Sequence, residues 1–110
     1  MPRMLMWFGL APNQNVHGGL NMMTKVTIEI PEYNSQEGLR MSWEDDFTIH
    51  VRIEGTQTVV IQANTAGLIS LARQLLTLAQ DEVPPGYHIH YDESNALEDG
   101  SCEIILEKRE

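Results

Sequence analysis

Cysteine occurs once in these 110 residues, at Cys102. No internal disulfide can form, so the chain fits a reducing cytosol and nothing in it demands secretion. No apolar run approaches the roughly 20 residues needed to span a bilayer, which removes a membrane anchor from consideration. Basic side chains are also scarce, seven Lys and Arg against sixteen Asp and Glu, for a formal net charge of −9. Such a field repels phosphate backbones and anionic lipid and draws basic partners inward, so neither nucleic acid nor membrane is an expected partner. Nucleophile motifs, phosphate-cradling glycine loops and zinc-protease signatures are missing, as are internal repeats and low-complexity tracts. Catalysis is therefore not expected, and no cofactor is implied.

What is present suffices for one domain. Apolar residues make up 42% of the chain, within the globular range. A chain of this length buries roughly 60–65% of its unfolded surface, enough for one sheet packed by one helix. Charge is unevenly placed: residues 81–110 hold nine acids (Asp81, Glu82, Asp92, Glu93, Glu98, Asp99, Glu103, Glu107 and Glu110) against Lys108 and Arg109.

The first 22 residues differ from the rest. The run MLMWFGLA is apolar, but only Arg3 charges the region before it and no small-x-small cleavage site follows. A regular strand pattern begins directly after Met22-Met23. Residues 1–22 are therefore read as a disordered lead or a mis-assigned start, and residues 23–110 as the domain.

Within residues 25–30, Val26, Ile28 and Ile30 alternate with polar neighbours as a half-buried strand ended by Pro31. Residues 32–38 are turn-like, and Leu39, Met41 and Trp43 suggest a second short strand. Phe47, Ile49, Val51 and Ile53 alternate with Thr48, His50, Arg52 and Glu54 in a clear strand. A turn near Gly55 returns the chain through residues 57–63. A two-residue turn would set Val59 and Ile61 beside His50. A three-residue loop instead pairs Val51 with Val59 and Ile49 with Ile61, and burial favours it.

Asn64 or Thr65 suits a helix N-cap. Leu68, Leu71, Ala72, Leu75, Leu78 and Ala79 then recur at helical spacing, widened by Ile69 and Leu76, as the expected core face. Asp81-Glu82 fall in the exit turn, and Pro84-Pro85-Gly86 stops the helix. In the next strand Tyr87, Ile89 and Tyr91 point inward, with His88, His90 and Asp92 outward. A polar loop containing Leu97 leads to a last strand, with Cys102, Ile104 and Leu106 on the core side. The predicted fold is α+β: a mainly antiparallel sheet of five or six strands with one helix packed on one face, in the order strands, helix, two strands.

Two clusters can carry function. His88, His90 and Asp92 share one strand face at about 6.5–7 Å spacing, and His50 lies on the polar side of another strand. Three imidazoles and a carboxylate could bind zinc, or a histidine polarised by Asp92 or Glu103 could move protons. The spacing permits these chemistries without specifying them. Trp43 beside Glu44, Asp45 and Asp46 has the anchor-and-rim character of a protein interface, and it equally suits the edge of the core. Cys102 reads as a small core residue.

The helix core from Leu71 to Ala79, the Gly86-Tyr87-His88-Ile89-His90 strand with Asp92, the Glu98-Asp99-Gly100-Ser101 turn and the final apolar-Glu-Lys strand together resemble the immunity protein 32 family of bacterial polymorphic toxin systems. The likeness covers roughly residues 62–108 and carries no catalytic residue. It implies a cytoplasmic protein that binds and blocks a cognate toxin domain, a basic nuclease being one kind that an acidic surface would suit. The expected contact surface combines Trp43, Glu44, Asp45 and Asp46 with His88, His90 and Asp92. Two alternatives stay open: a small metal-binding module or metal-dependent enzyme using His88, His90, Asp92 and His50, and a homodimer formed through the uncovered sheet face or an edge strand.

Overall fold

The computed structural model describes residues 22–110, so the lead expected at residues 1–22 lies outside them except for the exposed Met22. The alternating run at the centre of the chain forms β1 (Ile49–Glu54), which pairs antiparallel with β2 (Thr58–Ala63). Residues 55–57 make the three-residue loop, with Gly55 at φ 67°, a left-handed value that a side chain would oppose. Val51 lies opposite Ile61, Ile53 opposite Val59 and Ile49 opposite Ala63. Apolar side chains thus share one face, Ile49 and Val51 buried on it and Ile53, Val59 and Ile61 exposed, with the register displaced by two residues from the expected Val51–Val59 pairing.

Asn64 caps α1 (Thr65–Leu78) by accepting from the Gly67 N–H. Its side chain does more than cap. Oδ1 also accepts from Thr48 N at 3.0 Å, and Nδ2 donates to the Asp46 carbonyl at 2.9 Å. One amide therefore fixes the helix start against the entry to β1. Gly67 completes the junction, because a Cβ there would lie 2.3 Å from Thr48 O.

That close approach sets the rotation of the helix, and it overturns the expected core face. The stripe turned inward is Gly67, Ser70, Gln74, Thr77 and Leu78, with Leu71 partly buried beside it. Leu68, Ile69, Leu75 and Leu76 are 40–56% exposed. The cause is polar satisfaction. Gln74 Nε2 donates to the Ser42 carbonyl at 2.6 Å, and Ser70 Oγ accepts from Glu44 N at 2.9 Å. The inward stripe supplies hydrogen-bond partners to the backbone that crosses it, and leucines could not.

Beyond the helix the chain turns through residues 79–87, burying Val83, and enters β3 (His88–Tyr91). β3 pairs antiparallel with β4 (Ile104–Glu107), His90 opposite Ile105 and Tyr91 opposite Ile104. Between them, residues 98–102 run along the outer edge of β1: Glu98 N donates to Ile49 O at 2.8 Å and Cys102 N to Val51 O at 2.9 Å. Ser101 Oγ accepts from Val51 N, which joins the two hairpins. The core lies under this seam, built from Ile49, Val51, Tyr91, Ala96 and Leu97, with Trp43, Phe47, Leu71, Ile89, Cys102, Ile104 and Leu106 packed against it. Cys102 is thus a core-edge residue, as its position in the pattern suggested.

The class is α+β with one helix, but the described residues form four strands in two antiparallel pairs rather than a sheet of five or six. Residues 25–30 and 39–43 have strand-like sequences and join no ladder. The free edge of β1 is already taken by residues 98–102. The amino-terminal arm is held instead by side chains of the helix and of the turn after it: Arg73 donates to Glu29 O, and Gln80 Nε2 to Pro31 O at 3.0 Å.

Candidate partner-binding surface

β3 carries the two histidines on the face away from the core because strand side chains alternate. His88 and His90 are exposed, with ring centroids 5.1 Å apart. Each ring has a partner of its own. The His88 Nδ1–H donates to Gly86 O at 2.9 Å, and the His90 Nδ1–H donates to Glu103 Oε2 at 2.8 Å. The pairing with Glu103, one of the two acids expected to polarise a histidine, arises because the residue leading into β4 lies next to β3.

Asp92 continues the row in sequence but is engaged elsewhere. Its Oδ1 accepts from both Ser94 Oγ (2.7 Å) and Ser94 N (2.9 Å). These bonds, the side-chain one foremost, hold its carboxyl below the usual carboxylate range. Asp92 therefore closes the turn into the 93–97 loop. His50, on the polar face of β1, lines a separate cleft of about 460 Å3 with Thr48, Gln62, Asn64 and Glu98. Among the described residues no group of three His, Cys, Asp or Glu side chains is placed to hold a metal ion. The four donors of the metal alternative are not gathered into one site.

Trp43 stacks on Phe47, with centroids 4.7 Å apart, and meets Tyr91 edge-on at 5.7 Å. It packs against the core, reaching Tyr91 from the covered side of β3. Glu44 is paired with Arg73, while Asp45 and Asp46 are exposed in a turn. The two sequence clusters therefore occupy different surroundings: Trp43 and Glu44 pack inward, and His88 and His90 leave from the other face of β3.

That outer face contains a residue that the sequence reading passed over. Ile105 is 50% exposed, directly across from His90, and follows Glu103 and precedes Glu107 in β4 with Glu107 opposite His88. An apolar side chain thus stands among two imidazoles and two carboxylates. The sequence signal was an isoleucine in the outward row of an alternating Glu-Ile pattern, where polar residues belong.

Comparison with known protein families matches residues 58–109 to immunity protein 32, the family that the helix and histidine-strand motifs resemble. No curated protein and no solved structure matches the chain.

Proposed function

We propose, from the match of residues 58–109 to the immunity protein 32 family, that the chain binds a cognate toxin domain in the cytoplasm and blocks it through the outer face of β3 and β4. The observation that carries the location is Ile105, half exposed between His88, His90, Glu103 and Glu107. An apolar anchor inside a polar, acid-bearing rim is the arrangement that interfaces use, the centre shedding water while the rim sets orientation. This face lies within the family-matched residues, and Trp43 to Asp46 lie outside them.

The chemistry is that of binding. His90 and Glu103 satisfy one another across an exposed strand face. Nine acids in residues 81–110 support attraction of a basic toxin, a nuclease being the kind whose substrate channel an acidic face could fill. Asp45 and Asp46 add to the attracting field from their exposed turn.

The test is binding of the full chain to the toxin domain encoded beside its gene. Substituting Ile105→Lys, a residue already half in water, should weaken the complex at least about 100-fold while the circular dichroism stays unchanged. Wild-type affinity in the variant would remove the β3–β4 face from the interface. A folded wild-type chain that does not bind the toxin would remove the immunity reading itself.

A further inference from the structure

The outward face of α1 has the composition of an interface of a different kind. Leu68, Ala72, Leu75 and Ala79 recur at intervals of four, three and four, the a/d spacing of a helix–helix seam. All four are exposed, Leu68 at 56% and Leu75 at 51%, and Ile69 and Leu76 extend the strip at 40% and 45%. The opposite side of the same helix is buried through Ser70, Gln74 and Thr77, each fully inaccessible. The more apolar face of the helix is the one left in water.

We propose that this strip is covered by α1 of a second copy of the chain, packed antiparallel about a two-fold axis. Leu and Ala alternate along the seam, so an antiparallel copy places Leu75 over Ala72 of the second copy and Leu68 over Ala79. Each large side chain then meets a small one, a complementarity that the strip has with itself. Charge selects the same occupant. Between Glu54 and Asp81 the sequence contains no acid, so in a chain of net charge −9 the helix itself adds no like-charge repulsion between two copies, and the acids that border it, Glu29 and Glu107, lie beside the bases Arg73 and Lys108. The strip itself carries no acid to attract a basic toxin, and the proposal is independent of the immunity reading.

Apolar surface extends from the strip into a cleft beside it. Beside the seam, Val26 is 81% exposed and forms with Ile28, Ile69 and Ala72 a cleft of about 340 Å3, room for a large apolar side chain. On the helix-covered side of the sheet, Ile53, Val59 and Ile61 are 45–59% exposed.

Sedimentation of the full chain across the micromolar range tests this, with Leu75→Glu and Ala72→Trp as variants. The wild type should be a concentration-dependent dimer, and Leu75→Glu should raise its dissociation constant at least about 100-fold without loss of helix signal. Ala72→Trp separates the seam from mere stickiness: it enlarges the exposed apolar surface, yet should weaken the dimer by overfilling the space that Leu75 of the second copy occupies. A wild type that stays monomeric overturns the proposal, as does a dimer that either variant leaves intact.

Discussion

Gly67 lies so close to Thr48 that a Cβ on the glycine would stand 2.3 Å from the Thr48 carbonyl oxygen, inside any permissible contact. The obstacle is backbone, which cannot rotate aside. Gly67→Ala must therefore shift α1 away from β1. It should destabilise the fold by about 2–4 kcal/mol, read as a lower urea midpoint at unchanged slope, although alanine is the better helix former. A midpoint equal to wild type would mean that the helix sits farther from β1.

Asn64 serves three backbone groups: it accepts from Gly67 N and Thr48 N and donates to Asp46 O. An ordinary cap is worth about 1 kcal/mol, so Asn64→Ala should cost about 2 kcal/mol or more in equilibrium unfolding. Asn64→Asp keeps the two acceptor bonds and loses the donor. It should recover part of that loss, and full recovery would show the Asp46 contact to be idle.

Tyr91 is 2% exposed, its hydroxyl has no hydrogen-bond partner among the described residues, and burial pushes its pKa from 10.0 up to about 12. The folded state therefore keeps its proton when the unfolded chain has lost it. Below pH 10 the two states bind it equally. Between about pH 10 and 12 the folded state binds more protons, so stability falls as pH rises, by about 2–3 kcal/mol over that window. Tyr91→Phe should abolish this part of the alkaline loss and, at pH 7, stabilise by up to about 1 kcal/mol through removal of an unpaired hydroxyl. Parallel alkaline profiles for the two proteins would refute the assignment.

The turn at Asp45-Asp46 tests the electrostatic part of toxin binding. Asp46 has φ 60°, a left-handed geometry that asparagine tolerates and lysine does not, so Asp45→Lys with Asp46→Asn removes charge without straining the turn. Association with the toxin should slow about 3–10-fold at low salt and become less salt-dependent, with little change in dissociation. An unchanged on-rate would remove the turn from the encounter surface.

Much of this was legible from local pattern. Alternation placed Ile49, Val51, Ile89 and Tyr91 inward, and Asn64 announced the helix start, because period and cap chemistry are properties of neighbouring residues. The helix face was not legible. An apolar stripe shows which side can be buried, but Ser70, Gln74 and Thr77 are buried through bonds that include Ser42 and Glu44, residues some thirty positions away. The unpaired arm at 25–30 escaped for a related reason: its alternation marks β-compatibility, whereas a ladder also needs a vacant edge, and residues 98–102 fill that of β1. At the candidate surface, the histidines faced outward as their alternation indicated. Glu103 was one of the two acids the sequence offered as a histidine partner; that it pairs with His90, and that Ile105 stands exposed beside them, follows from β4 lying beside β3 in register.

The arm from residue 24 to residue 42 is tied to the helix and to the turn after it by hydrogen bonds: Arg73 to Glu29, Gln80 to Pro31 and Tyr33, Gln74 to Ser42. Attachments of this kind exchange readily for water, whereas the Ile49–Val51–Tyr91 cluster has no such substitute. The molecule accordingly has two grades of cohesion. Amide protons of the arm should exchange sooner than those of the Ile49–Val51–Tyr91 cluster, whose exposure requires the core itself to open.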